Sequence, residues 1–98
     1  MNMIDVQSTV LHLKLTKGSY TPLEARELVL ALLKTETAFH KLQNYKMQVR
    51  FDEPCSQAEA NLSLAESATD KLHRVVEEAA LDNRNIRVET VIRLTVED

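Results

Sequence analysis

The stretch SYTPLEARELVLALL, residues 19–33, decides how the chain is divided, because it contains the start signal of a long helix. Thr21 can accept a hydrogen bond from the free N–H groups of a first helical turn, and Pro22 suits the first helical position, where an N–H would have no partner. Glu24 completes a capping box, since its carboxylate can return to the backbone of Thr21. The stretch therefore predicts a helix N-terminus and carries no chemistry of its own.

Downstream of this start no helix breaker occurs before Asp52 and Pro54, so the sequence predicts a first helix over about residues 22–51. Apolar positions recur along it at spacings of three and four, and we expect this stripe to face a second helix. The stripe consists of Ala25, Leu28, Leu32, Thr35, Phe39, Leu42, Lys46 and Val49.

A second helix is predicted over about residues 57–82, behind a capping box formed by Ser56 and Glu59. Asn83 is a candidate for the left-handed residue that ends it. Two stripes of matched spacing, joined by a short connection, predict an antiparallel helical hairpin. The second stripe, which begins with small residues, consists of Ala58, Leu62, Ala65, Thr69, Leu72, Val76 and Ala79.

Alternation of apolar and polar residues predicts a strand over about residues 9–16, and Gly18 is expected to end it in a turn. Ile4 and Val6 have the opposite parity, which indicates either a bulge near residues 7–8 or a strand that begins only after them. The apolar face of this strand is expected to consist of Thr9, Leu11, Leu13 and Leu15.

The same alternation predicts a last strand over about residues 86–96. Because the two helices reverse each other, the chain ends meet and the two strands can pair antiparallel. The expected fold is therefore α+β with the order β-α-α-β, a single domain over residues 1–98. In it the long helical hairpin packs on a short antiparallel ribbon formed by both chain ends. The expected apolar face of the last strand is Ile86, Val88, Thr90, Ile92, Leu94 and Val96.

Two features predict that the chain associates with itself. Residues 28–33 are all apolar and surround the first helix, so one neighbouring helix cannot cover them. A two-stranded ribbon is only marginally stable, and its edges expose unpaired N–H and C=O groups. We expect a symmetric homodimer, with another protein as the alternative occupant. The expected interface residues are Leu28, Val29, Leu30 and Leu33.

Composition limits the classes of function. The 98 residues contain 12 Lys and Arg against 15 Asp and Glu, a net charge of -3, so no overall field favours nucleic acid or an anionic membrane. The single cysteine, Cys55, cannot form an internal disulfide, and no apolar run is long enough to cross a bilayer. We therefore expect a cytoplasmic protein that does not enter a membrane.

The sequence supports no catalytic mechanism. A nucleophilic Cys55 would need a base, and no histidine neighbours it in sequence. The chain has one glycine, which excludes a glycine-rich phosphate loop. We therefore expect a protein that is not an enzyme and has no cofactor.

Two histidines on the predicted helices are candidates for half of a metal site. His40 follows Glu36 by one helical turn, and His73 lies between Asp70 and Glu77. Helical bundles that hold di-iron centres use a Glu-x-x-His pair, and neither histidine has one. Ordinary solvated pairs of side chains explain the same residues, so we expect no metal.

The function that these features favour is that of a small, non-catalytic protein-interaction or regulatory module. The alternative is a dimeric nucleic-acid-binding regulator, because a strand followed by two helices is similar in architecture to the ribbon-helix-helix repressors. The length of the first helix and the acidic composition oppose this alternative. Its contacts would come from the first strand, at Val10, His12, Lys14 and Thr16, or from the basic end of the first helix, at Lys41, Lys46 and Arg50.

Overall fold

The computed structural model describes residues 9–97. The chain forms four elements, which are β1 (Val10–Tyr20), α1 (Pro22–Phe51), α2 (Ser56–Leu81) and β2 (Ile86–Thr95). The two strands pair antiparallel as a ribbon, and the two helices pack on each other as a hairpin. The predicted α+β class and β-α-α-β order are confirmed. The bulge suggested near residues 7–8 falls outside the described residues.

The helix α1 begins and ends as the sequence predicts. The backbone N–H of Glu24 donates to the hydroxyl of Thr21 at 3.1 Å, and the N–H of Thr21 donates to the Glu24 carboxylate at 3.0 Å. Pro22 is the first helical residue. After Phe51 the helix stops at Asp52, which takes a left-handed conformation with a φ of 54°. Local capping chemistry therefore sets both ends of this helix.

The helix α2 starts one residue earlier than predicted, and its start is held from a distance. Its N-cap is Cys55, whose side chain makes no capping bond, so the expected capping box of Ser56 and Glu59 does not form. Instead the backbone N–H of Cys55 donates to the side-chain oxygen of Asn44 on α1, at 2.7 Å. At the other end Asn83 has the predicted left-handed conformation, with a φ of 54°.

The strand β1 continues four residues beyond its predicted end. Gly18 lies inside it, paired with Val88, and its φ is not positive, so the prediction of a turn there is wrong. The ring of Tyr20 covers this glycine, since a Cβ at position 18 would lie in van der Waals contact with the ring, at 3.4 Å. An aromatic side chain that covers a strand glycine replaces the packing that the missing side chain cannot provide.

A bulge at Leu15 sets the faces of the ribbon. The residues on either side of it, Lys14 and Thr16, pair with Val91 and Thr90, so Leu15 is extra in the register. Such an insertion shifts the alternation of side chains by one residue. The face assignment that simple alternation gives for β1 is therefore correct only before the bulge.

The two faces of the ribbon differ in chemistry. What we call the apolar face consists of Leu11, Leu13, Thr16, Gly18 and Tyr20 on β1 with Ile86, Val88, Thr90, Ile92 and Leu94 on β2. What we call the charged face consists of Val10, His12, Lys14, Lys17 and Ser19 on β1 with Arg87, Glu89, Val91, Arg93 and Thr95 on β2.

The ribbon packs on the hairpin only at its base. There Val88 of the ribbon and Ala25 of α1 are both buried. In the outer half of the apolar face the large side chains are between 39% and 51% exposed; they are Leu11, Leu13, Ile92 and Leu94. The molecule measures 49 × 42 × 15 Å, so its shortest dimension is little more than the diameter of one helix with its side chains, about 10–12 Å.

Candidate interaction surfaces

The chain buries few of its apolar side chains. Among the described residues the buried apolar ones are Ala25, Ala58 and Val88, whereas 18 large apolar side chains are at least 38% exposed. The accessible surface is 7944 Å², against about 5,700 Å² for a compact protein of 11.2 kDa. Many large apolar side chains therefore face water when the chain is alone.

From Leu32 to Val49 the apolar stripe predicted along α1 points away from α2, so the expectation that it packs against α2 is wrong there, whereas Ala25 at its start is buried and Leu28 is half-buried. Phe39 is 61% exposed and Val49 is 66% exposed. The side of α1 that faces α2 is a different row, represented by Leu33 and the buried His40. We call the outward residues the exposed stripe; they are Leu32, Phe39, Leu42 and Val49.

The stripe predicted along α2 lies against α1, as expected. Ala58 is 0% exposed. Leu33 of α1 borders a groove with Leu64 and Ala65 of α2, which places the first half of α2 against the middle of α1. The other predicted stripe members are all half-buried; they are Leu62, Ala65, Thr69, Leu72, Val76 and Ala79.

The buried histidine of α1 is held by its own helix. His40 Nε2 lies 3.2 Å from the carboxylate of Glu36, and His40 Nδ1 lies 3.5 Å from the side-chain oxygen of Gln43. These residues are one turn away on either side, so the ring needs no ligand to satisfy it. Within residues 9–97 no group of three or more His, Cys, Asp and Glu is placed to hold a metal ion.

The predicted interface residues do not share one face. Leu28, Val29, Leu30 and Leu33 are each half-buried within the chain. Leu28 precedes Leu32 by one turn and so adjoins the exposed stripe, whereas Leu30 and Leu33 border a groove of about 380 Å³ between the helices. Their place in an interface stays a prediction. Other apolar side chains of α1, such as Phe39 and Val49, are more exposed than these four.

The candidate nucleic-acid contacts on β1 are partly brought together. His12 and Lys14 lie on the charged face, with His12 directly opposite Arg93. Thr16, which alternation places beside them, lies on the apolar face because of the bulge at Leu15. Of the candidate nucleic-acid contacts on β1, only the residues before the bulge therefore share the charged face.

The candidate contacts on α1 are separated around the helix. Lys46 and Arg50 are one turn apart, but Lys41 precedes Lys46 by five residues, a rotation of about 140° in an α-helix. A flat or grooved ligand cannot contact all three in the same way. The helix therefore offers no continuous basic surface.

Three further cations lie on the charged face beside His12 and Lys14. The sequence alone did not connect them with these two residues. Lys17 follows the bulge, and Arg87 and Arg93 come from β2. The alternation of charges along the last strand was visible in the sequence, but its pairing with Lys14 depends on the register. The single ion pair within residues 9–97 joins His40 and Glu36, so none of these cations is neutralised by a close carboxylate.

Comparisons with known proteins identify no family for this chain. No known protein family, curated protein or solved structure matches it. In the described part of the chain, neither helix combines the length and apolar character needed to span a bilayer. The chemistry of the exposed stripe and of the two ribbon faces is therefore the basis for a function.

Proposed function

We propose that this protein is a small, non-catalytic interaction or regulatory module that acts as a homodimer, with the exposed stripe of α1 in the interface. The exposure of Leu32, Phe39, Leu42 and Val49 carries this proposal. A bulky apolar stripe on a helix is stable in water when another surface covers it, and an uncovered one is typical of an association site.

The amount of uncovered surface suits a permanent interface. The chain exposes about 2,200 Å² more than a compact protein of its mass. Over two copies this excess is about 4,400 Å², which lies within the roughly 2,000–5,000 Å² that permanent homodimers bury over both subunits. A second copy on α1 and on the outer apolar face of the ribbon would cover side chains that contribute to this excess, including Phe39, Val49 and Leu11.

The spacing of the stripe favours a second helix of the same kind as the occupant. Together with Thr35 and Lys46, which lie in the same row, the exposed stripe follows the alternating steps of three and four that define a coiled-coil seam. The α1 helices of two copies can therefore pack seam to seam about a two-fold axis.

Charge favours an antiparallel seam. Lys46 occupies a seam position, and two parallel α1 helices would place both copies of this lysine side by side in the interface. In the antiparallel arrangement centred between Phe39 and Leu42, Lys46 lies opposite Thr35 of the second copy. We therefore propose that the two α1 helices run in opposite directions.

The dimer is tested by light scattering on wild type and on two matched variants, over a range of protein concentrations. We expect wild type at twice the chain mass of 11.2 kDa. We expect Leu42→Glu to be monomeric, because it places a charge in the seam. Leu23→Glu is the control, since Leu23 is 60% exposed and lies nine residues before Leu32, on the opposite side of α1.

The control should remain dimeric and both variants should keep their helix content by circular dichroism. A wild-type monomer at the highest concentration would overturn the proposal. Equal dissociation of both variants would mean that the exposed stripe is not the interface.

A cytoplasmic location and the absence of a catalytic step are parts of the same proposal. Cys55 is a free, half-buried thiol, which suits a reducing compartment. The features that support the proposal are apolar surfaces, which bind a partner by burial and shape and need no cofactor.

A further inference from the structure

We propose that the charged face of the ribbon binds duplex nucleic acid through its phosphates. The four cations of this face, Lys14, Lys17, Arg87 and Arg93, come from both strands and share one side of the ribbon because of the register and the bulge at Leu15. Duplex affinity depends mainly on such cations, because each phosphate contact releases bound counterions.

The charge of this face is opposite to that of the chain. The four cations are accompanied by one acid of the same face, Glu89, so the face carries a net charge of +3 while the chain carries -3. Glu89 lies directly opposite Lys17 in the register, but the two side chains form no ion pair within 4 Å. His12 adds a further polar group beside Arg93. An acidic protein therefore presents a locally basic ribbon.

The shape of the ribbon suits a groove. Its outer half extends beyond the hairpin and is exposed on both faces, so the charged face is accessible. Residues two apart on one strand lie about 6.6 Å apart, and the two strands lie about 4.8 Å apart. The major groove of DNA is about 12 Å wide and admits a two-stranded ribbon. Cations on both strands can then contact phosphates on both sides of that groove.

The observations favour a duplex over other anionic partners. The ten residues that form the charged face include no Phe, Tyr or Trp and one histidine, whereas proteins that hold single strands rely on several aromatic side chains that stack on successive bases. A bilayer would take the apolar face of the ribbon, and the cations would then point away from the lipid headgroups because they lie on the opposite face. A duplex requires only the cationic face.

The first test is fluorescence anisotropy of a labelled mixed-sequence DNA duplex of about 20 base pairs, titrated with the full-length protein. If all four cations contact phosphates, affinity should fall about 100-fold between 50 and 200 mM monovalent salt. The same titration is made with a single strand of equal length and with vesicles containing anionic lipid.

Two double variants locate the contact. In the double variant Lys14→Gln/Arg93→Gln two phosphate contacts are removed. Raising the salt from 50 to 200 mM should therefore weaken its duplex binding only about 10-fold, against about 100-fold for wild type. Lys41→Gln/Arg50→Gln is the control, since it removes the same charge from the basic end of α1. It should keep the wild-type salt dependence.

A third variant separates binding from folding. Glu89→Gln removes the one acid of the charged face, so duplex affinity at 50 mM salt should rise several-fold. A gain in affinity cannot result from misfolding.

The inference is overturned by any of three results. These are no duplex binding at 50 mM salt, an equal loss in both double variants, or tighter binding to the single strand or the vesicles than to the duplex. The proposed dimer is judged separately, since a monomer that binds duplex through this face would overturn the dimer alone.

Discussion

The two helices of the hairpin carry apolar stripes of the same spacing, yet only the stripe of α2 is covered along its whole length within the chain. The members of the α2 stripe are buried or half-buried, beginning with Ala58, whereas Phe39 and Val49 of the α1 stripe are among the more exposed side chains. Periodicity identifies an apolar stripe, but it does not identify which surface covers it.

The helices differ in how many apolar rows they have. In α2 one row of apolar residues runs the length of the helix and forms the hairpin contact, whereas Leu64, Val75 and Leu81 lie off this row and are exposed. In α1 residues 28–33 are all apolar, and at least two rows are available. The hairpin uses the row that contains Leu33 and His40, which leaves the regular stripe uncovered within the chain. The difference teaches that the regular stripe of a helix is not always the row that packs within its own chain.

The largest expected effect concerns the direction of the seam between two α1 helices. In a Cys55→Ser background, Thr35→Cys and Lys46→Cys chains are mixed, unfolded together, refolded and oxidised. The antiparallel seam predicts a disulfide between the two different chains, because these positions face each other there. Mass spectrometry distinguishes the mixed dimer from the two symmetric ones.

Lys41→Cys, which lies off the seam, is the control and should give no disulfide. If Lys46→Cys alone forms the symmetric disulfide efficiently and the mixed one is missing, the helices run parallel and the charge argument fails.

A smaller effect is expected when the intrachain stripe is overpacked. Ala58→Leu inserts a bulky side chain at a fully buried position of α2, and we expect the free energy of unfolding to fall by about 1–3 kcal/mol. Urea unfolding monitored by circular dichroism measures this change. Ala60→Leu, at an exposed position of the same helix, should change stability by less than about 0.5 kcal/mol. Equal effects at both positions would mean that the α2 stripe does not form the hairpin contact.

The smallest effect concerns the connection between the helices. Asn44→Ala removes the acceptor of the Cys55 N–H bond, and we expect a loss of about 1 kcal/mol in the free energy of unfolding. Gln48→Ala, at an exposed position one turn later on α1, is the control for the change in helix propensity. If Asn44→Ala is no more destabilising than this control in urea unfolding, the long-range cap does not stabilise the hairpin.

Much of the fold follows from local chemistry. The capping box of Thr21 and Glu24 sets the start of α1, and the left-handed residues Asp52 and Asn83 stand where the sequence indicated helix ends. These predictions succeeded because each depends on residues within one turn of each other. The start of α2 was displaced by one residue because its cap acceptor, Asn44, is eleven residues away.

The candidate surfaces were only partly accessible from the sequence. His12 and Lys14 were recognised as neighbours on one strand, but their union with Lys17, Arg87 and Arg93 required the pairing of β1 with β2. The bulge at Leu15 places Lys17 on the same face as Lys14, since it moves every later residue of β1 to the opposite face of the ribbon. No residue type near Leu15 announces that insertion.

The sequence by itself determined the order of the elements, the limits of α1 and the existence of two apolar stripes, because capping and periodicity are properties of neighbouring residues. Only the tertiary structure decided which side of α1 faces α2, which strand residues share a face and how little of the ribbon is covered. These depend on contacts between residues distant in the chain, for which several arrangements satisfy the same local pattern. The exposed stripe and the charged face both result from these long-range contacts.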